Sequence, residues 1–175
     1  PDMDNVDDIV LCNNEISSII EFTTPNTDGN TTYTWTNDNT SIGLSSGGNG
    51  DIPSFTAINL TPITEVATIT VIPTYENNGV VCIGNAQTFS ISVLSEIEIT
   101  GTTVDALDCN DPNSGNINIT VTGGSGVYDF LWSNGSITED LNNIGPGDYS
   151  VTVTDSEGCV AFSESFNVFR QEDLI

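Results

Sequence analysis

The chain has 175 residues, of which 25 are Asp or Glu and one, Arg170, is basic; there is no His, and the net charge is −24. Charged residues total 15%, against roughly 25% in ordinary soluble proteins, so the charge reflects missing bases more than surplus acids. That balance excludes nucleic-acid backbones and anionic membrane surfaces, which need Lys and Arg, and it excludes catalysis by imidazole or lysine. Apolar residues make up 37% and mean hydropathy is −0.05, with many Ile and Val, which is not the composition of a disordered acidic chain. The sequence contains no apolar run long enough for a membrane-spanning helix, so no membrane insertion is expected. It opens at Pro1 in an acidic stretch, which reads as an excised fragment or the interior of a longer polypeptide.

In chain order, the first clear element spans residues 66–72. There Val66, Thr68, Thr70 and Ile72 alternate with Ala67, Ile69 and Val71. Period-two patterns recur at residues 89–93, 117–121 and 149–154. Such alternation, rich in Thr, Val and Ile, predicts half-buried antiparallel strands. Between them lie Asn77-Asn78-Gly79, Thr122-Gly123-Gly124-Ser125-Gly126, Ser133-Asn134-Gly135, Gly145-Pro146-Gly147-Asp148 and Glu157-Gly158, which supply tight-turn positions. Helical periodicity is hard to find. The reading is all-β, with two tandem sandwiches at residues 1–95 and 96–175, each large enough for seven strands. Ser95-Glu96-Ile97-Glu98-Ile99 is a short extended bridge, which implies little hinge freedom and an end-to-end stack.

Four cysteines permit three connectivities. Pairing within each half gives Cys12–Cys82 and Cys109–Cys159, and each bridge would stabilise its domain by roughly 4 kcal/mol. Disulfides point to an oxidising, extracellular location. Trp35 and Trp132 each lie mid-strand between the cysteines of their half, where a core role outweighs a sugar-stacking one. Tyr75 and Tyr128 are the loop aromatics best suited to a sugar.

Acidic clusters raise the question of calcium, which takes six to eight oxygens. Asp2, Asp4, Asp7 and Asp8 form one group. Asp105, Asp108 and Asp111 around Cys109, with Asp155 and Glu157 before Cys159, form the candidate metal set. No EF-hand pattern is present, and Asp and Asn also simply fill turns. Paired carboxylates can hydrolyse glycosides, but close pairs are inevitable among so many acids, and no enzyme activity is expected. Sequons at Asn30, Asn39, Asn59, Asn118 and Asn134 are expected by chance in an Asn- and Thr-rich chain.

The second half carries an ordered pattern: Cys109, Ser114-Gly115-Asn116-Ile117, Val121-Thr122-Gly123-Gly124-Ser125-Gly126, Tyr128, Trp132-Ser133-Asn134-Gly135, Asp140-Leu141, Ile144-Gly145-Pro146-Gly147-Asp148-Tyr149, Val151-Thr152-Val153-Thr154-Asp155 and Gly158-Cys159. Over residues 105–168 it resembles the SprB repeat of Bacteroidota gliding-motility adhesins. The first half resembles the PKD-like domains that accompany such repeats. The residues are Cys12, Tyr33-Thr34-Trp35, Ile42-Gly43-Leu44, Phe55-Thr56-Ala57-Ile58-Asn59, residues 67–74, Cys82 and residues 89–93.

The resemblance implies an immunoglobulin-like sandwich in each half, type IX secretion and a place on the cell surface. It offers no catalytic residues and no required cofactor. The expected function is a non-enzymatic structural and adhesive segment of a large adhesin. Its partners would be neighbouring repeats of the same polypeptide, and polysaccharide or a solid surface; the segment itself would be a monomer. A carbohydrate-binding module and a calcium-stiffened interaction module are the alternatives.

Overall fold

The computed structural model describes residues 1–107 and 111–170. The described chain is all-β and divides into two compact units, Pro1–Glu96 and Ile97–Ile175. None of its helices is long and apolar enough to cross a membrane.

Unit 1 is organised around one long strand. Its elements are β1 (Ile9–Leu11), β2 (Asn30–Asn37), β3 (Gly47–Asn49), β4 (Glu65–Asn77), β5 (Val80–Ile83) and β6 (Gln87–Val93). They form a sheet in the order β1-β6-β4-β2-β3, with β5 added at the far end of β4. Alternation along β4 turns Ala67, Ile69 and Val71 inward, where all three are fully buried, and leaves Val66, Thr68 and Ile72 exposed. All pairings are antiparallel except that of β1, which runs parallel to β6 from Ile9↔Ile91 to Leu11↔Val93. The β4–β5 turn is the two-residue hairpin that Asn-Gly favours: Asn77 faces Val80, and Asn78 and Gly79 have φ of 49° and 82°.

The facing layer of unit 1 is mostly irregular. It touches itself at two isolated bridges, Ile16↔Thr56 and Ile20↔Ile52. Loop segments carry Ile20, Phe22, Ile42, Leu44, Ile52 and Ala57 into the core against Trp35, Ile69, Val71 and Ile91. Side chains therefore take over where no ladder runs. The buried amide of Asn59 donates to the carbonyls of Ile63 and Val93, and its oxygen accepts from the Thr61 N–H. Asn37 donates in the same way to the carbonyls of Leu44 and Ser45. Unit 1 is large enough for seven strands but has six, because half of the sandwich is built from loops stapled by Asn.

Unit 2 uses shorter strands: β7 (Glu98–Val104), β8 (Gly115–Thr122), β9 (Tyr128–Trp132), β10 (Leu141–Ile144), β11 (Gly147–Tyr149), β12 (Val151–Asp155), β13 (Val160–Phe162) and β14 (Phe166–Val168). They make sheets β10-β8-β7 and β13-β12-β9, with a β11-β14 pair. The alternating run expected over residues 149–154 is one extended segment that changes partners at Ser150. Tyr149 pairs with Phe166, while Val151 pairs with Trp132. Such a switch closes the corner between sheets. The core collects Ile117, Ile119, Trp132, Leu141, Val151, Val153 and Val168.

Candidate functional site

The β12–β13 turn contains one buried carboxylate. Asp155 is 4% exposed. One of its oxygens accepts from the Glu157 and Cys159 N–H groups at 3.0 and 2.9 Å, and the other accepts from the Ser125 N–H at 2.8 Å. The side chain thus joins the β12–β13 turn to the Gly-rich β8–β9 loop. Gly124 sits against it at φ 55°, where a Cβ would lie 2.6 Å from the Asp155 Oδ2. Tyr128 closes the same corner by donating its hydroxyl to the Gly123 carbonyl. Burial, reinforced by the Asp155 charge, raises the Tyr128 pKa above its ordinary value.

The other acids of the candidate metal set do similar local work. Asp105 accepts from the Phe169 N–H at 3.0 Å, and Asp111 from the Asn113 N–H at 2.9 Å. Glu157 is exposed. Asp108 lies outside the described residues. Among the described residues, no three Asp, Glu, His or Cys side chains gather closely enough to hold a metal ion. A carboxylate whose oxygens already accept main-chain N–H groups, as Asp155 does, has little left for a cation.

Trp35 and Trp132 are buried, at 3% and 2% exposure, which removes both from any sugar-stacking surface. The Trp132 indole N–H donates to the Thr138 carbonyl at 2.8 Å, and its ring packs against Phe166 at 6.0 Å between centroids. The Trp35 N–H has no partner among the described residues, nor has the hydroxyl of Thr31 on the same inward face of β2. Burial, together with the nearby Asp4 and Asp51 charges, raises the Tyr33 pKa. Tyr75 and Tyr128, the loop aromatics considered for a sugar, are half-buried with engaged hydroxyls, since Tyr75 accepts from Asn77 and Tyr128 donates to Gly123.

The cysteines bring a correction. Cys12 and Cys159 each take part in a disulfide. Cys82 is a free, exposed thiol, so the expected Cys12–Cys82 bridge is not formed. The register gives the reason. Cys12 follows Leu11, which pairs with Val93, which pairs with Glu65 at the start of β4; Cys82 faces Tyr75 near its other end. Ten residues of strand at about 3.3 Å each separate these ends by about 33 Å. A disulfide tolerates a Cα separation of about 7 Å at most. Cys109, and with it the expected Cys109–Cys159 pairing, lies outside the described residues.

A feature that the sequence reading missed is the outer face of the β13-β12-β9 sheet. The register aligns Leu131, Thr152 and Phe162 in one rank, and Asp129, Thr154 and Val160 in the next. Phe162, Leu131 and Val160 are 77%, 57% and 51% exposed, the two threonines are half-buried, and Asp129 is exposed. Val160-Ala161-Phe162 carries no polar residue to mark which side faces water. The usable signal was the neighbour: Val151 and Val153 point inward, so their cross-strand partners fix Phe162 on the outside.

No curated protein matches the chain. Among solved structures, the chain is similar to the C-terminal 282-residue fragment of intimin, solved in complex with the intimin-binding domain of the translocated intimin receptor. The identity is 13%, the TM-score is 0.51, and the match covers 88% of this chain. The chain spans 64% of that fragment. This likeness shows the fold alone. Fainter likenesses, at TM-scores of 0.39 and 0.32, are to an amphioxus IgVJ-C2 molecule (16% identity, 91% of this chain and 99% of that one) and to the human desmocollin-1 ectodomain (12%, 92% and 35%); they carry no argument. Both units are thus antiparallel sandwiches of immunoglobulin-like type, apart from the parallel β1, and within the second unit the family match is to the SprB repeat, over residues 100–137.

Proposed function

We propose that this chain is a non-enzymatic structural and adhesive segment of a large, secreted bacterial cell-surface adhesin that serves surface attachment and gliding motility. The observation that carries the reading is the SprB-repeat match at residues 100–137. The match falls within an all-β chain of two immunoglobulin-like units. Supporting it are the disulfide-bonded cysteines, which suit an oxidising exterior, and an acidic surface that keeps exposed, repeated sheets from pairing edge to edge. The first unit is read as the PKD-like companion of the repeat, and type IX secretion as the export route. Neighbouring repeats of the same polypeptide are its immediate partners.

In-frame deletion of the codons for residues 1–175 in the native host tests the role. The reading expects normal growth with reduced surface attachment and spreading. Attachment and spreading equal to the parent strain would contradict it.

A further inference from the structure

We propose that the outer face of the β13-β12-β9 sheet binds neutral polysaccharide, with Phe162 as the stacking platform. The inference rests on strand register and exposure and not on the adhesin reading above.

Three observations select this ligand class. The first is chemical. Antiparallel register places an exposed aromatic ring and two exposed aliphatic side chains around Thr152 and Thr154, beside the exposed carboxylate of Asp129. A sugar presents the matching surface, with C–H faces for Phe162, Leu131 and Val160 and hydroxyls for the polar groups. Thr152, Thr154 and Asp129 make no side-chain hydrogen bond to another described residue, so their polar atoms remain available.

The second observation is electrostatic. The sequence has 25 acids and one base, so an anionic glycan, nucleic acid or lipid surface would be repelled. A neutral chain pays no such cost.

The third is size. The two ranks span three strands, about 10 Å across and about 7 Å along the strands. That suits a short stretch of glycan chain. A stable protein interface takes about 20–30 residues a side, far more than these six. The outer face of unit 1 provides the contrast. Thr32, Thr34, Thr36 and Thr68 are exposed there on β2 and β4, but no aromatic residue joins them.

The test is native affinity electrophoresis of the whole 175-residue chain. The gels contain mixed-linkage β-glucan, xyloglucan, galactomannan or agarose, with alginate as the anionic comparison. The expected result is retardation by at least one neutral polymer and none by alginate. Phe162→Ala should weaken that binding at least about tenfold, Leu131→Ala several-fold, and Thr68→Ala on unit 1 less than about twofold. Phe162→Tyr should restore most of the affinity. Thermal melts of each variant separate lost binding from lost folding, and the exposure of Phe162 predicts an unchanged melting temperature.

Retardation by none of the neutral polymers would overturn the proposal. So would equal retardation by alginate, or full binding by a folded Phe162→Ala variant. Saturable binding of a protein through Phe162, without polysaccharide binding, would reassign the face.

Discussion

The two units bury one tryptophan each, and they treat it differently. Trp132 in unit 2 donates its indole N–H to the Thr138 carbonyl, whereas the N–H of Trp35 in unit 1 has no partner among the described residues. The contrast extends to whole units. Unit 1 hangs on the 13-residue β4, whose neighbours β2, β5 and β6 all pair with it. Its stability comes from aliphatic burial along that strand, enough to carry the Trp35 N–H and the Thr31 hydroxyl, which have no partner among the described residues. Among the described residues unit 2 has no strand of that length; Asp155 binds main-chain N–H groups where β12 turns into β13, and Asp140, just before β10, binds the Ile119 N–H within β8. One sandwich is held by a central strand and the other by its corners.

Substitutions sharpen that comparison. The largest effect is expected at the centre of β4. Ile69 is fully buried, and Ile69→Ala should cost about 4 kcal/mol in urea unfolding followed by Trp35 fluorescence. A loss near 1 kcal/mol would mean that β4 is not the keystone. Next comes the corner of unit 2. Asp155→Ala strands three main-chain N–H groups, one buried and two part-buried, and should cost about 3 kcal/mol by the same measurement on Trp132 fluorescence. Gly124→Ala should follow in the same direction, because its new Cβ meets the same carboxylate. The tryptophans give a smaller, differential effect. Trp132→Phe should cost about 1 kcal/mol more than Trp35→Phe, because only the former breaks a hydrogen bond. Equal losses would erase the distinction.

The pH profile separates the units on its acid limb. Hydrogen bonding from Asn39, with further bonds from Ser41 and Thr61, holds Glu65 below its ordinary value of 4.5. The Ser90 N–H and side chain hold Asp8 below 3.8. For a depressed carboxylate the stabilisation is present above the unfolded pKa and lost as pH falls through the folded one. Both acids belong to unit 1, so its melting temperature should drop on acidification below about pH 4.5, and Glu65→Gln should flatten part of that drop. Tyr33 and Tyr128, raised above 10.0, act at the other limb, one in each unit. Their contribution is present below pH 10 and is lost as pH rises through their folded values. The smallest effect is at Cys82, since Cys82→Ser removes no bridge. It should change stability by less than about 0.5 kcal/mol, and maleimide should label Cys82 in the native protein. A large loss, or an unlabelled Cys82, would restore the Cys12–Cys82 bridge.

These contrasts also show what the sequence could disclose. Alternation over residues 66–72 and 89–93 exposed strands β4 and β6, because a half-buried strand must repeat every two residues. Asn78-Gly79 announced its hairpin, because few other residues accept positive φ in succession. The loop-built layer of unit 1 was hidden, since its apolar residues follow no period and its staples are ordinary asparagines. Disulfide pairing was hidden too. It depends on which end of β4 each cysteine reaches, and that followed from the parallel placement of β1. Asp155 looked like a calcium ligand because a carboxylate that caps a turn and one that binds a metal are the same residue in the same kind of loop. Phe162 escaped notice because an all-apolar three-residue strand shows no side.

The central claim is that this chain works outside the cell as part of an exposed surface protein. Antibodies raised against the purified chain, applied to intact cells of the native host, test it most directly. The account predicts labelling of unpermeabilised cells that protease treatment of those cells removes. Labelling that appears only after permeabilisation would contradict it.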